Sequence, residues 1–224
     1  MRLIFVRHAE SEANAQGRMQ GHADFPLSDR GRSQAESLFR RFTSEGLEPT
    51  HAYSSPLKRT AETAQIVSRG WPLEISYSDD LKEHDIGVFS GLTRDEASAA
   101  HPEMLRAYEE SRDWTVVDGA ESLADQRARA ERVVQGLVGG HRPEDRVVVF
   151  THGGILLNLL SVVVGTDRLW STPLENTTMF DFTLDVERWN RRDSSLHNRD
   201  LWWINRFGDA SHVGTEGRPP VGEV

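Results

Sequence analysis

The sequence predicts a three-layer α/β/α sandwich with a mainly parallel central sheet and an insertion over its active site. Two patterns support this. The runs 3–6 and 147–150 are apolar at every position, as strands buried on both faces are. Strand-like runs also alternate with stretches of helical periodicity along the chain, the order expected of a sheet sandwiched between helices.

Residues 3–6 open the chain as a strand, followed by a Gly-rich polar loop over 9–26. A helix then starts at a cap supplied by Ser28 or Asp29, carries Ala35, Leu38, Phe39 and Phe42 at helical spacing, and closes at Gly46. Residues 51–54 read as a second strand. Ser55 reads as the N-cap of the next helix, with Pro56 in its first turn and Leu57, Ala61, Ala64 and Val67 as its inner stripe. A weaker strand, 73–77, leads into an irregular region from Ser78 to about Gly119, where Thr93-Arg94-Asp95-Glu96 has the form of a capping box. A long helix over 122–138 places Leu123, Ala130, Val133, Val134 and Leu137 on one side. The strand 147–150 ends at Thr151-His152-Gly153-Gly154, where another helix begins. Residues 178–184 alternate, and 201–205 pair with them as a late hairpin. The expected organisation is one domain over 1–213, with 78–120 inserted over the site and a disordered Gly/Pro-rich tail at 214–224.

Composition bounds the function. The chain has 224 residues, 37% hydrophobic and 27% charged, enough for one well-buried domain. A net charge of −9 argues against a nucleic-acid partner, which requires a basic face. Without cysteine, disulfides, thiolate nucleophiles and Cys-based zinc sites are excluded. No apolar run approaches the ~20 residues that span a bilayer. The run beginning at Met1 is too short for a signal peptide, so a cytoplasmic location is the default expectation.

Two strands end in histidine followed by small residues: Val6-Arg7-His8-Ala9 and Phe150-Thr151-His152-Gly153. Ligands of open α/β sheets bind at the carboxyl ends of strands, so these histidines, 144 positions apart, are expected to share one crevice. One histidine alone reads as a hydrogen-bonded structural residue; two placed alike point to function. Arg7 adjoins the first. Arg59 lies one turn into the helix opened by Ser55-Pro56, where free N–H groups and a guanidinium together suit an oxyanion. Its bland alternative is a solvated helix arginine. Asn14 and Gly21, on the loop after His8, offer a further donor and a close backbone approach.

Arg7-His8-Ala9-Glu10-Ser11 resembles the signature of the histidine phosphatase superfamily, the phosphoglycerate-mutase-like proteins. Four further blocks follow in that family's order. They are Gly17-Arg18-Met19-Gln20-Gly21 with Asp24 and Pro26-Leu27-Ser28, the run Ser54 to Ala64, Leu81-Lys82-Glu83 with Gly87 and Gly91-Leu92, and Gly119-Ala120-Glu121-Ser122 before Thr151-His152-Gly153-Gly154. The resemblance covers residues 3 to about 160, and is loose at Glu175-Asn176-Thr177 and beyond. Ala9, Ser11 and Ser90 depart from the family pattern without removing a titrating or phosphate-binding group.

The resemblance implies a phosphatase acting on a small-molecule phosphate monoester, with His8 as covalent nucleophile. Glu83 is implied as the proton donor that later activates water; its bland alternative is a surface carboxylate. Arg7, Arg59 and a His152 that is most effective when protonated would surround the phosphoryl oxygens, with Asn14, Gln20, Gly21 and Gly153 completing the phosphate pocket. Glu10 is given no catalytic role. No metal or cofactor is expected, because there is no His-Glu-x-x-His spacing and arginines flank the histidines. A phosphoglycerate mutase is the alternative. The 68 residues between Glu83 and His152, fewer than in the mutases this chain resembles, favour the phosphatase. A non-catalytic phospho-ligand binder is a distant third. In the insertion, Met104, Tyr108, Arg112 and Trp114 are either substrate contacts or internal packing. The tryptophans of 189–203 mark either a homodimer contact or a hairpin packed on the sheet.

Overall fold

Alternation along the strands sorts the apolar side chains into two cores on opposite faces of one sheet. The computed structural model describes residues 1–168, 172, 174–189 and 200–213. Its strands are β1 (Arg2–Arg7), β2 (His51–Ser54), β3 (Ile75–Tyr77), β4 (Arg146–Thr151), β5 (Met179–Leu184) and β6 (Trp202–Asp209), in sheet order β3-β2-β4-β1-β5-β6. The first four pair in parallel; β5 and β6 are antiparallel additions along one edge. The helices are α1 (Glu12–Ala15), α2 (Asp29–Ser44), α3 (Lys58–Ser68), α4 (Arg94–Ala100), α5 (Pro102–Ser111), α6 (Leu123–Gly140), α7 (Gly153–Val164) and α8 (Val186–Trp189).

Leu3, Phe5, Val147, Val149, Phe180 and Phe182 face α6 and α7. Ile4, Val6, Val148, Phe150 and Met179 face α2 and α3. Every one of these eleven side chains is buried, each contributing about 1.5–3 kcal/mol relative to exposure. That double-sided burial is why β1 and β4 carry no polar position before their ends. The expected late hairpin is the β5–β6 pair. Trp189 and Trp202 pack against the first core, while Trp203 is 60% exposed. Among the described residues no helix is long and apolar enough to cross a membrane. The tail expected at 214–224 lies outside the described residues.

Local signals set most helix starts. Ser28 and Ser122 accept hydrogen bonds from the backbones of Gly31 and Asp125. Thr93 and Glu96 form a complete capping box at α4. Gly46, just past α2, takes a positive φ of 63°. The expectation at Ser55 does not hold. The helix begins at Lys58, after Pro56, and its first free N–H is taken by Asp24 Oδ1 at 2.7 Å. Ser55 Oγ accepts from Leu57 N at 3.3 Å, outside the helix, and is also a partner of His152, because β2 ends alongside β4. The region from 78 to 120 is also more regular than its composition suggests. It holds α4, α5 and three short 3-10 turns around a small core of Ile86, Phe89, Ala97, Leu105 and Val117.

Candidate active site

β1 and β4 lie side by side in parallel with Arg7 opposite Thr151, so the next residues, His8 and His152, emerge together. Their ring centroids are 5.1 Å apart, and both side chains are buried. The His8 backbone is fixed by its N–H to Thr151 O (2.9 Å), and its carbonyl accepts from Thr177 N (3.2 Å) and Asn176 Nδ2 (3.1 Å). His8 Nδ1 lies 2.7 Å from Ala9 O, so it carries the proton and Nε2 keeps its lone pair. Burial, then Arg59 and Arg7, push the His8 pKa well below its ordinary value. The ring is neutral at physiological pH, with one free nitrogen.

Arg59 occupies the second position of α3, nearer the helix start than the sequence suggests, and is fully buried. It donates to Ala23 O (2.9 Å), Gly21 O (2.9 Å) and His152 Nδ1 (3.1 Å). Burial pushes its pKa down to about 10, which leaves it charged. His152 accepts from Arg59 and presents Nε2 to Ser55 Oγ at 2.8 Å and Thr60 Oγ1 at 3.1 Å. Burial, then Arg59, hold its pKa well below the ordinary value. His152 is therefore neutral in the resting site. To donate to a phosphoryl oxygen, His152 has to exchange one of these partners for the ligand. Arg7 is pinned by a hydrogen bond to Leu174 O, while its Nε is buried without a partner among the described residues. A buried, unpaired guanidinium N–H is costly unless an anion completes it.

The carboxylate sits beside this cluster as the trans cap of α7. Glu83 Oε2 accepts from Gly154 N (3.0 Å), and Oε1 from Ile155 N (3.0 Å) and His84 N (3.0 Å). His84 Nδ1 adds a further contact to Oε1 at 3.1 Å. Burial alone would raise the Glu83 pKa, but the hydrogen bonds from His84 and from the Gly154 N–H hold it well below the carboxylate range. The loop bearing Glu83 is tied down from behind. Arg129 on α6 donates to Asp80 O (3.0 Å), Lys82 O (2.6 Å) and Glu83 O (3.4 Å) while pairing with Glu121 at 2.5 Å. His22 Nε2 donates to Glu83 O at 2.8 Å, and Thr151 Oγ1 to Leu81 O at 2.9 Å.

The loop residues divide. Asn14 caps α1 reciprocally with Ser11, and Gln20 Oε1 accepts from Ser11 Oγ at 2.8 Å. Both polar side chains therefore sit on the loop that follows His8. Gly21 makes a close approach, but to the inserted segment: a Cβ there would lie 2.6 Å from Ile86 Cγ1. Gly153 stands beside Arg7, where a Cβ would lie 3.5 Å from Nε. Met104, Tyr108 and Trp114 pack around the insertion's own core. Sequence reasoning missed Ser55, Thr60 and His84, and treated Asn176 only as a loose match. The first two lie inside a run already singled out, and His84 directly follows Glu83. Among the described residues no group of three or more His, Cys, Asp or Glu is placed to hold a metal ion.

The sequence profile of the histidine phosphatase superfamily (branch 1) matches residues 3–195. Phosphoglycerate mutase-like protein 4 of Arabidopsis thaliana is 34% identical over 96% of this chain and 88% of its own. Phosphoserine phosphatase 1 of Hydrogenobacter thermophilus is 35% identical over 80% of this chain and 84% of its own. The solved YhfR protein of Bacillus stearothermophilus superposes with a TM-score of 0.76 at 30% identity, covering 94% of this chain and 98% of that one.

Proposed function

Because this chain belongs to the histidine phosphatase superfamily (branch 1), we propose that it hydrolyses a small-molecule phosphate monoester through a phosphohistidine on His8. The observation that carries the reading is the His8 ring itself. It is neutral, its proton is held on Nδ1 by Ala9 O, and Nε2 is free between two arginines. The Nε2 lone pair attacks phosphorus as the bond to the leaving oxygen breaks. Arg7, through its unpaired Nε, and Arg59 meet the charge on the equatorial oxygens. His152 joins them once phosphate draws it from its resting partners, and Asn14, Gln20, Gly21 and Gly153 frame the pocket.

Glu83 passes its proton to the leaving oxygen, releasing an alcohol. As carboxylate it then takes a proton from water while the water oxygen bonds to phosphorus and the N–P bond breaks, returning the pair to Nε2. The resting carboxylate is ionised, so the first proton arrives with the substrate's monoanion or is gained as substrate charge raises the Glu83 pKa. No step requires a metal. The inserted segment 78–120 is the cap that meets the leaving group. The 68-residue spacing between Glu83 and His152, and a relative 35% identical that is named a phosphoserine phosphatase, support water rather than a second phosphate acceptor.

Wild type and His8→Ala are compared on p-nitrophenyl phosphate with EDTA present. We expect turnover that drops by roughly 10³-fold or more in the variant. Equal turnover would refute the nucleophile. A wild type that turns over only 3-phosphoglycerate primed with bisphosphate would make it a mutase.

A further inference from the structure

The two oxygens of Glu83 are not equivalent. Oε1 accepts from the backbone N–H of His84 and of Ile155 and lies 3.1 Å from His84 Nδ1; Oε2 accepts only from Gly154 N–H. An oxygen ringed by three donors has no lone pair left to receive a proton from a ligand, whereas Oε2 does. The His84 ring is placed for this single bond. Its ring lies 5.2 Å from that of Trp114 between centroids, tilted by 57°, its side chain is 16% exposed, and its Nε2 is buried without a hydrogen-bond partner among the described residues. A donor is needed at Nδ1 to face a carboxylate, so the proton sits there and the orphaned Nε2 carries the lone pair. Across the bond, the second residue of α7 has to be small, because a Cβ on Gly154 would lie 2.2 Å from His84 Nδ1.

We propose that His84 is a positioning residue, whose Nδ1–H holds Oε1 of Glu83 so that Oε2 alone faces the reacting oxygen. This rests on the reading of Glu83 as the proton-transfer group. In the first half-reaction the proton leaves Oε2 for the leaving oxygen as the P–O bond breaks. In the second, a proton from water returns to Oε2 as the water oxygen bonds to phosphorus and the N–P bond breaks. The His84 proton stays on Nδ1 throughout. Without that clamp the carboxyl rotates, and the step that depends most on a placed proton, expulsion of a poor leaving group, suffers first.

The test measures kcat/KM for β-glycerol phosphate, whose alkoxide must be protonated to leave, and for p-nitrophenyl phosphate, whose phenolate needs no proton. Their ratio does not depend on the fraction of enzyme folded. His84→Ala is expected to lower the glycerol phosphate value by about 10- to 100-fold, the loss of one charge-assisted hydrogen bond. The p-nitrophenyl phosphate value should change little. His84→Asn, whose amide Nδ2 stands the same number of bonds from Cα as Nδ1, is expected to restore the ratio. Glu83→Gln serves as the reference. If it lowers the ratio and His84→Ala does not, the positioning role is overturned and Glu83 stands. If Glu83→Gln leaves the ratio unchanged, the reading of Glu83 fails first. A His84→Asn variant as impaired as His84→Ala overturns the hydrogen bond as the cause.

Discussion

Replacing Gly154 by alanine adds one methyl group at the second position of α7, where the backbone φ is not in the left-handed region and so accepts alanine. That methyl carbon would lie 2.2 Å from His84 Nδ1, 2.6 Å from His84 Cε1 and 2.7 Å from Glu83 Oε1. Contacts this short do not persist, so the acid and its neighbour must withdraw by about 1 Å from the helix end. The N–H bonds from Gly154 and Ile155 to Glu83 start at 3.0 Å each, and such a shift carries them beyond hydrogen-bond range. Losing one or two charge-assisted bonds costs about 1.5–3 kcal/mol apiece in the placement of Glu83. In kcat/KM for an alkyl phosphate this total of about 1.5–6 kcal/mol amounts to roughly 10- to 10⁴-fold. Alanine is meanwhile a better helix former than glycine by up to about 1 kcal/mol, which offsets part of the loss in stability. Activity and thermal midpoint therefore separate: a large fall in kcat/KM with a midpoint shifted by only a few degrees. A variant within about twofold of wild type would mean that Glu83 is not held at the α7 N-terminus, and the account of the acid would have to be abandoned.

Three further outcomes follow from the same geometry. Glu83 is held well below the carboxylate range and is ionised in the free enzyme, so the catalytic proton enters with the substrate monoanion. With a second phosphate pKa of about 6, kcat/KM for an alkyl phosphate should fall toward tenfold per pH unit above that value. A profile flat to pH 8 would contradict this. Burial, then Arg41, push His212 down to about 4, and His8 and His152 are likewise depressed. The unfolded chain then binds more protons below pH ~6.5, so stability is full above that pH and is lost as pH falls toward 4. His212 alone accounts for up to roughly 3 kcal/mol, and a urea midpoint unchanged between pH 7 and 4.5 would refute the shifts. Arg59→Lys keeps the charge but cannot span Gly21 O, Ala23 O and His152 together. It should lose at least about 100-fold in kcat/KM and about 2 kcal/mol in stability, and a lysine enzyme near wild type in both would show that the fork is dispensable.

What the sequence determined by itself is what depends on neighbours a few positions away. Residues 3–6 and 147–150 declare buried strands because every position is apolar. Ser28, Ser122 and the Thr93–Glu96 box start helices because a hydroxyl needs only the N–H three residues on. The pairing of His8 with His152 was also legible, since parallel strands present their carboxyl ends to one edge, and the family resemblance named Glu83.

Tertiary structure decided what those residues touch. Ser55 carries the local signature of a cap, yet Asp24 takes the first N–H of α3, and the serine hydroxyl is shared between Leu57 N and His152. His84 is one polar residue among many until α7 brings two backbone N–H groups to its neighbour and the insertion lays Trp114 beside its ring. Asn176 closes on the His8 carbonyl from 168 positions away. Even the resting state of His152 follows from Arg59, a residue 93 positions distant, donating into its ring. Caps and periodicities are short-range and repeat in any chain. The charge and orientation of a catalytic group are set by burial and by donors from other elements, and only the folded chain assembles those.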